Sequence, residues 1–179
     1  IIISTQDYRN SNLHKSLVEE AKNSGIDNLD WLIMVPPERR DKRGPFTSDI
    51  SNYLRENGQE VIDLFDRVSR KELKPDPKQF RVIQYESCRG LEGWITILHK
   101  FDTFITHKIN LETNSDFLSF TQFQELDLEI QELVWNWASM IFSRAMDTLV
   151  IHLENPTSGF GRVLMDFSRV NKDLIDVIK

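Results

Sequence analysis

Three short segments of the sequence carry residues suited to binding phosphate or a nucleotide. The first is the turn at residues 86–93. Arg89 offers a planar fork of donors to phosphate, Gly90 lets the backbone approach a ligand, and the Glu92 carboxylate can accept hydrogen bonds from a ribose hydroxyl. Taken alone, an ordinary surface turn explains these residues equally well.

The other two segments each place an arginine where an element of secondary structure ends. Arg144 closes a long amphipathic stretch just before an apolar run. It is placed to act as an arginine finger toward a phosphate held by a neighbouring domain. Arg9 follows Tyr8 shortly after the strand that the opening apolar residues predict. The alternative for Arg144 is a solvated side chain with an Asp partner, and the alternative for Arg9 is a side chain that faces water.

Other kinds of site find little support. The sequence contains no Gly-x-x-x-x-Gly-Lys-Ser/Thr phosphate loop and no paired acids in the usual strand context for a metal. The four histidines are scattered and there is one cysteine, which argues against a zinc site. Ser87, Ser143 and His152 suggest no hydrolase triad, since no nucleophile-elbow pattern is present. By itself the chain is expected to be catalytically silent.

Length and composition indicate one globular domain over residues 1–179. The chain has 179 residues, 40% of them hydrophobic, and a net charge of −6. An acidic chain offers phosphates no broad positive field, so any contact with nucleic acid must be local. The single cysteine, Cys88, fits a reducing compartment, and no run approaches the roughly 20 apolar residues of a membrane span. We therefore expect a cytoplasmic protein without a membrane partner.

The beginning of the chain suggests a fragment of a longer polypeptide. Ile1, Ile2 and Ile3 open the sequence without an initiator Met and have the character of a buried strand. Part of an active site would then lie on residues outside this chain.

Hydrophobic periodicity predicts alternating strands and helices. Helical spacing appears at residues 12–24 and 122–146, and a third helix begins at a Thr47 or Ser48 cap and ends at Asn57-Gly58. Apolar runs predict strands at residues 1–3, 31–35, 61–64, 80–85, 94–98 and 148–153. Residues 38–45 are expected to form a loop and 69–78 a linker, while 101–121 show no clear period.

Residues from 157 onward predict one or two closing helices. Their apolar face is formed by Val163, Leu164, Phe167, Leu174, Ile175 and Ile178. Trp135 and Trp137 cannot both face the core from one helix, so one of them is expected at the surface. The side chains interpreted as core residues rather than platforms for stacked bases are Phe101, Phe104, Phe117, Phe120 and Phe123.

The alternation of strands and helices predicts an α/β fold, a three-layer domain with a mainly parallel sheet and helices on both faces. Ligands of such sheets bind outside the carboxyl ends of the strands. The turns that follow strands are therefore where a site is expected.

The order of the three segments resembles that of motifs IV, V and VI in superfamily 1 helicases of the UvrD/Rep type. Residues 6–9 correspond to motif IV, residues 89–92 to motif V and residues 143–145 to motif VI, so the resemblance runs to about Leu153. It implies the C-terminal RecA-like domain of an ATP-dependent helicase, a motor that moves along single-stranded DNA or RNA.

The resemblance also implies a role for each matching residue. Arg9 and Arg144 would reach the γ-phosphate and stabilise the charge that develops during phosphoryl transfer. Glu92 would hold the ribose, and Gly90 would let the backbone come close to ATP. Ser87 and Arg89 would lie near the nucleic-acid backbone. The phosphate loop and the Mg²⁺ ligands would belong to an N-terminal RecA-like domain of the same protein.

Several departures from the family pattern leave other functions open. Arg89 stands where Lys is usual, Glu86 where His is common, and Gly93 precedes Trp94 where one bulky apolar residue is expected. The short interval between Arg9 and Glu86 leaves little room for a large 2B insertion. One alternative is a non-catalytic helicase-like domain for protein assembly or nucleic-acid sensing. Another is an unrelated α/β nucleotide-binding domain, which a different strand order would reveal.

Overall fold

The computed structural model describes residues 1–8, 12–36, 48–65, 74, 76–113, 126–157 and 159–179. Within them, seven strands form one sheet in the order β3-β4-β2-β5-β6-β1-β7, and every neighbouring pair is parallel. The strands are β1 (Ile2–Ser4), β2 (Trp31–Val35), β3 (Glu60–Asp63), β4 (Gln79–Gln84), β5 (Gly93–Leu98), β6 (Ala145–His152) and β7 (Asp176–Ile178).

Helices cover both faces of this sheet. They are α1 (Leu13–Asn23), α2 (Asp49–Glu56), α3 (Phe101–Thr113), α4 (Leu128–Phe142) and α5 (Gly159–Val170). Apolar side chains of α1 and α2 join one buried cluster, and those of α3, α4 and α5 join a second cluster on the opposite face. The predicted three-layer α/β fold with a parallel sheet is confirmed.

The central strand β2 shows how the sequence produces this arrangement. Trp31, Ile33 and Val35 pack toward α1 and α2, whereas Leu32 and Met34 pack into the other cluster. All five are at most 1% exposed. Because successive side chains of a strand point to opposite faces, a strand covered on both sides needs a continuous apolar run.

The predicted cap of the second helix is also present. The Ser48 side chain accepts a hydrogen bond of 3.0 Å from the Ser51 amide at the start of α2. This bond satisfies one of the amides that the first turn of a helix leaves without a partner.

Three elements differ from the sequence-based expectation. Residues 101–113 form α3, which the sequence did not reveal. Thr106 and Thr113 on this helix donate their hydroxyls to carbonyls four residues earlier, so polar side chains are accommodated where the pattern looked irregular. The helix predicted for 122–146 covers Leu128–Phe142 among the described residues, and β6 already begins at Ala145.

The third difference lies at the end of the chain. Ile178 belongs to β7 rather than to a closing helix. The Asp176 amide donates to the Ile1 carbonyl at 2.9 Å, and the Thr5 amide donates to the Ile178 carbonyl at 3.0 Å. A short strand here satisfies backbone groups along β1, which a helix at the same place would leave without partners.

The predicted loop at residues 38–45 lies outside the described residues, as do most of the predicted linker at 69–78 and the predicted core residues Phe117, Phe120 and Phe123. Among the described helices, none is long and apolar enough to cross a membrane.

Candidate functional site

The turn between β4 and β5 crosses from one edge of the sheet to the other. It leaves the carboxyl end of β4 through a single helical turn, Tyr85–Ser87, and reaches the amino end of β5 at Gly93. Because β4 and β5 are parallel, the chain must return along the full length of the strands. Tyr85 is buried, and its hydroxyl donates to the His99 carbonyl at 2.9 Å, which fixes the beginning of the turn.

The end of this turn meets the end of α4. The Gly93 amide donates to the Arg144 carbonyl at 3.0 Å, and the Thr96 hydroxyl donates to the same oxygen at 3.3 Å. Glu92 and Arg144, which lie far apart in the sequence, are therefore neighbours. Both precede the amino end of a strand, so this pair lies at the amino edge of the sheet and not at the carboxyl edge where the sequence led us to expect a site.

Arg81 of β4 holds the backbone of Glu92 in place. Its Nη2 donates to the Glu92 carbonyl at 2.7 Å, and its Nε donates to the Trp31 carbonyl at 3.2 Å. Burial lowers the pKa of this guanidinium, and the nearby Asp30 acts in the opposite direction. These bonds hold the backbone of Glu92 in place, and its exposed side chain extends into solvent.

Gly90 is needed for its backbone conformation. Its φ is +77°, a left-handed value that side chains with a Cβ rarely adopt. A Cβ added there would meet no atom within 4 Å, so the space above Gly90 is open. An open left-handed turn beside Arg89 is compatible with the close approach of a ligand.

The Arg144 side chain turns back onto its own helix. Its Nε donates to the Met140 carbonyl at 3.0 Å, and its Nη2 donates to the Ser143 hydroxyl at 2.9 Å. The first of these bonds satisfies a carbonyl of the last turn of α4, a role that a basic residue at a helix C-terminus commonly has. The guanidinium has five N–H groups, so three remain for another acceptor.

The side chains of Glu86 and Arg89, which belong to the turn, lie close to two residues of the neighbouring helices. These are Lys108 of α3 and Trp137 of α4. The Lys108 Nζ lies 2.9 Å from a Glu86 carboxylate oxygen and 4.6 Å from the centre of the Trp137 ring. The Arg89 guanidinium lies over the same ring at 6.0 Å. Glu86 is thus paired with Lys108, and Arg89 remains exposed.

Cys88 directly precedes Arg89 on the turn. Its side chain is buried, and burial raises the pKa of the thiol, while the charges of Arg144 and Arg89 oppose this effect. The structure brings together Arg89, Gly90, Glu92 and Arg144, with the half-buried Ser87 on the turn that carries the first three.

Arg9 lies outside the described residues, and its role stays a prediction. The preceding residue, Tyr8, is buried at 1% exposure and its hydroxyl bonds to His14 Nδ1. His14 Nε2 in turn bonds to Gln59 Oε1 at 2.8 Å. Tyr8 is therefore a core residue that anchors the chain just before Arg9.

Polar residues that the sequence did not single out meet at the carboxyl edge of the sheet. The Nδ1 atoms of His99 and His152 are 3.1 Å apart, and the Lys100 amide donates to His152 Nδ1 at 3.3 Å. The buried Asp102 carboxylate accepts the amides of Glu154 and Asn155 at 2.9 and 2.6 Å. His99 and Lys100 follow β5, Asp102 is in the first turn of α3, and the remaining residues end or follow β6. Only the strand order places them together.

The described residues contain no group of three or more His, Cys, Asp or Glu side chains arranged to hold a metal ion.

The fold and the site together define a three-layer α/β domain of the RecA-like type, with a cluster of basic and acidic residues at the amino edge of its sheet. No family model matches the sequence, and no curated protein matches it. Among solved structures, the chain is similar to the C-terminal domain of a possible DNA helicase from Lactobacillus plantarum WCFS1. The TM-score is 0.51 at 16% identity, over 99% of this chain and 84% of that one. At this identity the likeness shows a shared fold.

Proposed function

We propose that this chain is the second motor domain of an ATP-dependent DNA helicase or translocase. In this proposal Arg144 and Arg9 are supplied to an ATP site that is shared with an N-terminal RecA-like domain of the same protein. Glu92 binds the ribose and Gly90 admits the nucleotide, while the partner domain provides the phosphate loop and the Mg²⁺ ligands. Ser87 and Arg89 contact single-stranded nucleic acid.

The observation that carries the proposal is the hydrogen bond between the Gly93 amide and the Arg144 carbonyl. It joins the turn that carries Glu92 to the helix end that carries Arg144. An acceptor for ribose hydroxyls and a donor for phosphate are the two groups that a nucleotide requires, and here they stand at one edge of a RecA-like sheet. The shared fold with a domain of a possible DNA helicase supports the same assignment.

A second candidate function is favoured by the position of the Arg144 guanidinium. Two of its N–H groups already donate hydrogen bonds at the end of α4, one to the Met140 carbonyl and one to the Ser143 hydroxyl. A helicase-like domain that has lost its motor role and serves protein assembly or nucleic-acid sensing would use Arg144 in this structural way alone.

The two functions are distinguished by the ATPase rate of the polypeptide that contains both proposed RecA-like domains. The rate is measured with and without single-stranded DNA. If Arg144 is an arginine finger, Arg144→Ala should lower stimulated turnover by about 10³ to 10⁵, the range typical of such residues. Arg162→Ala is the matched control, because Arg162 is an exposed arginine on α5 that contacts Asp166. Equal stimulated turnover in both variants would show that Arg144 is not the arginine finger. Absence of any turnover stimulated by single-stranded DNA in the original polypeptide would contradict the motor function.

A further inference from the structure

A groove with a volume of about 250 Å³ opens at the amino edge of the sheet, on the face covered by α1. It lies between the last turns of α1 and the first residues of β5 and β6, next to the turn that ends at Glu92. The side chains that matter most for its chemistry are Glu20, Ser24, Trp94, Asp147 and Thr148.

Trp94 is the aromatic residue among those that line this groove. It is 43% exposed, a large fraction for an indole in a strand. Within the described part of the chain, the cations found over aromatic rings lie over Phe104 and Trp137, not over Trp94. A partly exposed indole at the edge of a groove presents a face on which a flat cation can stack.

The polar side of the groove is negative. Glu20 and Asp147 are both exposed acids, and the described lining residues include no base. The Thr148 hydroxyl donates to Asp147 Oδ2 at 2.9 Å, which leaves Oδ1 available to another donor. The C-terminal end of α1, at Ser24, adds the partial negative charge of a helix terminus.

We propose that the groove binds an arginine side chain of a protein partner that packs against the amino edge of the sheet. A guanidinium matches both parts of the groove, because it stacks on an aromatic face and donates in pairs to carboxylates. A nucleic acid does not fit, since its phosphates would face Glu20 and Asp147. The proposal does not depend on the motor function, because it requires only a protein partner at this edge.

A titration of the ¹⁵N-labelled chain with the peptide acetyl-Gly-Arg-Gly-amide tests the proposal. The indole N–H signal of Trp94, assigned with Trp94→Phe, should shift and saturate with the arginine peptide but not with acetyl-Gly-Glu-Gly-amide. Asp147→Asn and Glu20→Gln should each weaken binding about 3- to 10-fold, which corresponds to the loss of one charged hydrogen bond near the surface.

Glu19→Gln is the matched control, since Glu19 is the neighbouring exposed acid on α1 and does not line the groove. It should leave the affinity for the arginine peptide within twofold of the original. Dispersed amide signals in each variant would show that it is folded.

Three results would overturn the proposal: no shift of the Trp94 signal up to the solubility limit of the peptide, an affinity that Asp147→Asn leaves unchanged, or an equal response to the glutamate peptide. A shift of the same signal by an oligodeoxythymidine would also overturn it, because the groove would then bind nucleic acid.

Discussion

The Gly93 amide and the Arg144 carbonyl are joined by a hydrogen bond of 3.0 Å that links the turn before β5 to the end of α4. Only backbone atoms take part, so replacing the Arg144 side chain leaves the bond intact. Substitutions at Arg144 therefore test the role of the guanidinium. Substitutions at Gly93 test the junction, the place where the turn before β5 meets the end of α4.

Gly93→Ala should destabilise the junction. A Cβ at this position would lie 2.7 Å from Leu32 Cβ and 2.9 Å from the Leu32 backbone nitrogen. Leu32 lies in β2 and is fully buried. The neighbouring strands β2 and β5 must therefore move apart to make room for the added methyl group. Overpacking of this kind costs about 1–3 kcal/mol, which urea unfolding followed by circular dichroism will measure.

Gly90→Asn is the matched control for this substitution. Gly90 has a positive φ but open space around it, and asparagine tolerates that conformation better than other residues with a Cβ. Its free energy of unfolding should fall by less than that of Gly93→Ala. A larger loss in Gly90→Asn would contradict the steric explanation for Gly93.

Asp102→Asn should also destabilise the protein, through a different mechanism. The buried carboxylate accepts the amides of Glu154 and Asn155, one on each oxygen. An asparagine turns one of these acceptors into a donor that faces an N–H group, and a buried group left without its partner costs about 1–3 kcal/mol. Urea unfolding will measure the loss, and Asp173→Asn, at an exposed acid, should change the free energy of unfolding far less.

The elements of the central sheet could be predicted because burial leaves a clear pattern. β2 is covered on both faces, and its five residues are all apolar. α3 was missed because it buries the polar Asp102 beside Phe101, Phe104 and Ile105, and it carries β-branched threonines that favour helices only weakly. β7 was missed because three residues are too few to show a period, and its pairing with β1 depends on the rest of the chain.

The site could be predicted only in part. The sequence singled out residues 86–93 and Arg144, and the structure places them together. Their position at the amino edge could not be foreseen, because it depends on β4 and β5 being parallel and separated by β2. The pairing of Glu86 with Lys108 was also hidden, since Lys108 lies on the helix that the sequence did not reveal.

Mild acid should destabilise the protein through His14 and His152. Burial lowers the pKa of both histidines below the ordinary value of 6.5. The unfolded chain therefore binds more protons than the folded chain between that value and the folded pKa. The stabilisation from these neutral histidines should be complete above pH 6.5. As the pH is lowered below that value, the free energy of unfolding should decrease by at most about 1.4 kcal/mol per pH unit for each histidine.

Urea titrations between pH 7.5 and pH 5 would measure this slope. For His152, the charges of Asp7, Asp102 and Glu154 oppose the effect of burial on the pKa, and that of Lys100 adds to it. His152→Gln and His14→Gln should each flatten the slope. His107→Gln is the control, because His107 is an exposed histidine on α3. A flat profile in the original protein would show that neither histidine is held in its neutral form.

Glu86→Gln should strengthen binding of single-stranded DNA if Arg89 contacts the phosphate backbone as proposed. The Glu86 carboxylate pairs with Lys108 at 2.9 Å, and Lys108 lies over the same Trp137 ring as Arg89. Removing the negative charge leaves two cations beside that ring without a neutralising partner. Fluorescence anisotropy with a labelled oligodeoxythymidine should show an affinity several-fold higher at low salt.

The gain should depend on salt, because each additional phosphate contact releases a counterion. One new contact steepens the slope of log K against log [salt] by about 0.7 for a single strand. Arg89→Ala in the Glu86→Gln background should remove most of the gain, whereas Arg169→Ala, at an exposed arginine on α5 that pairs with Asp166, should keep it. A gain that survives Arg89→Ala would mean that Arg89 does not contact the strand and that the added affinity arises elsewhere on the surface.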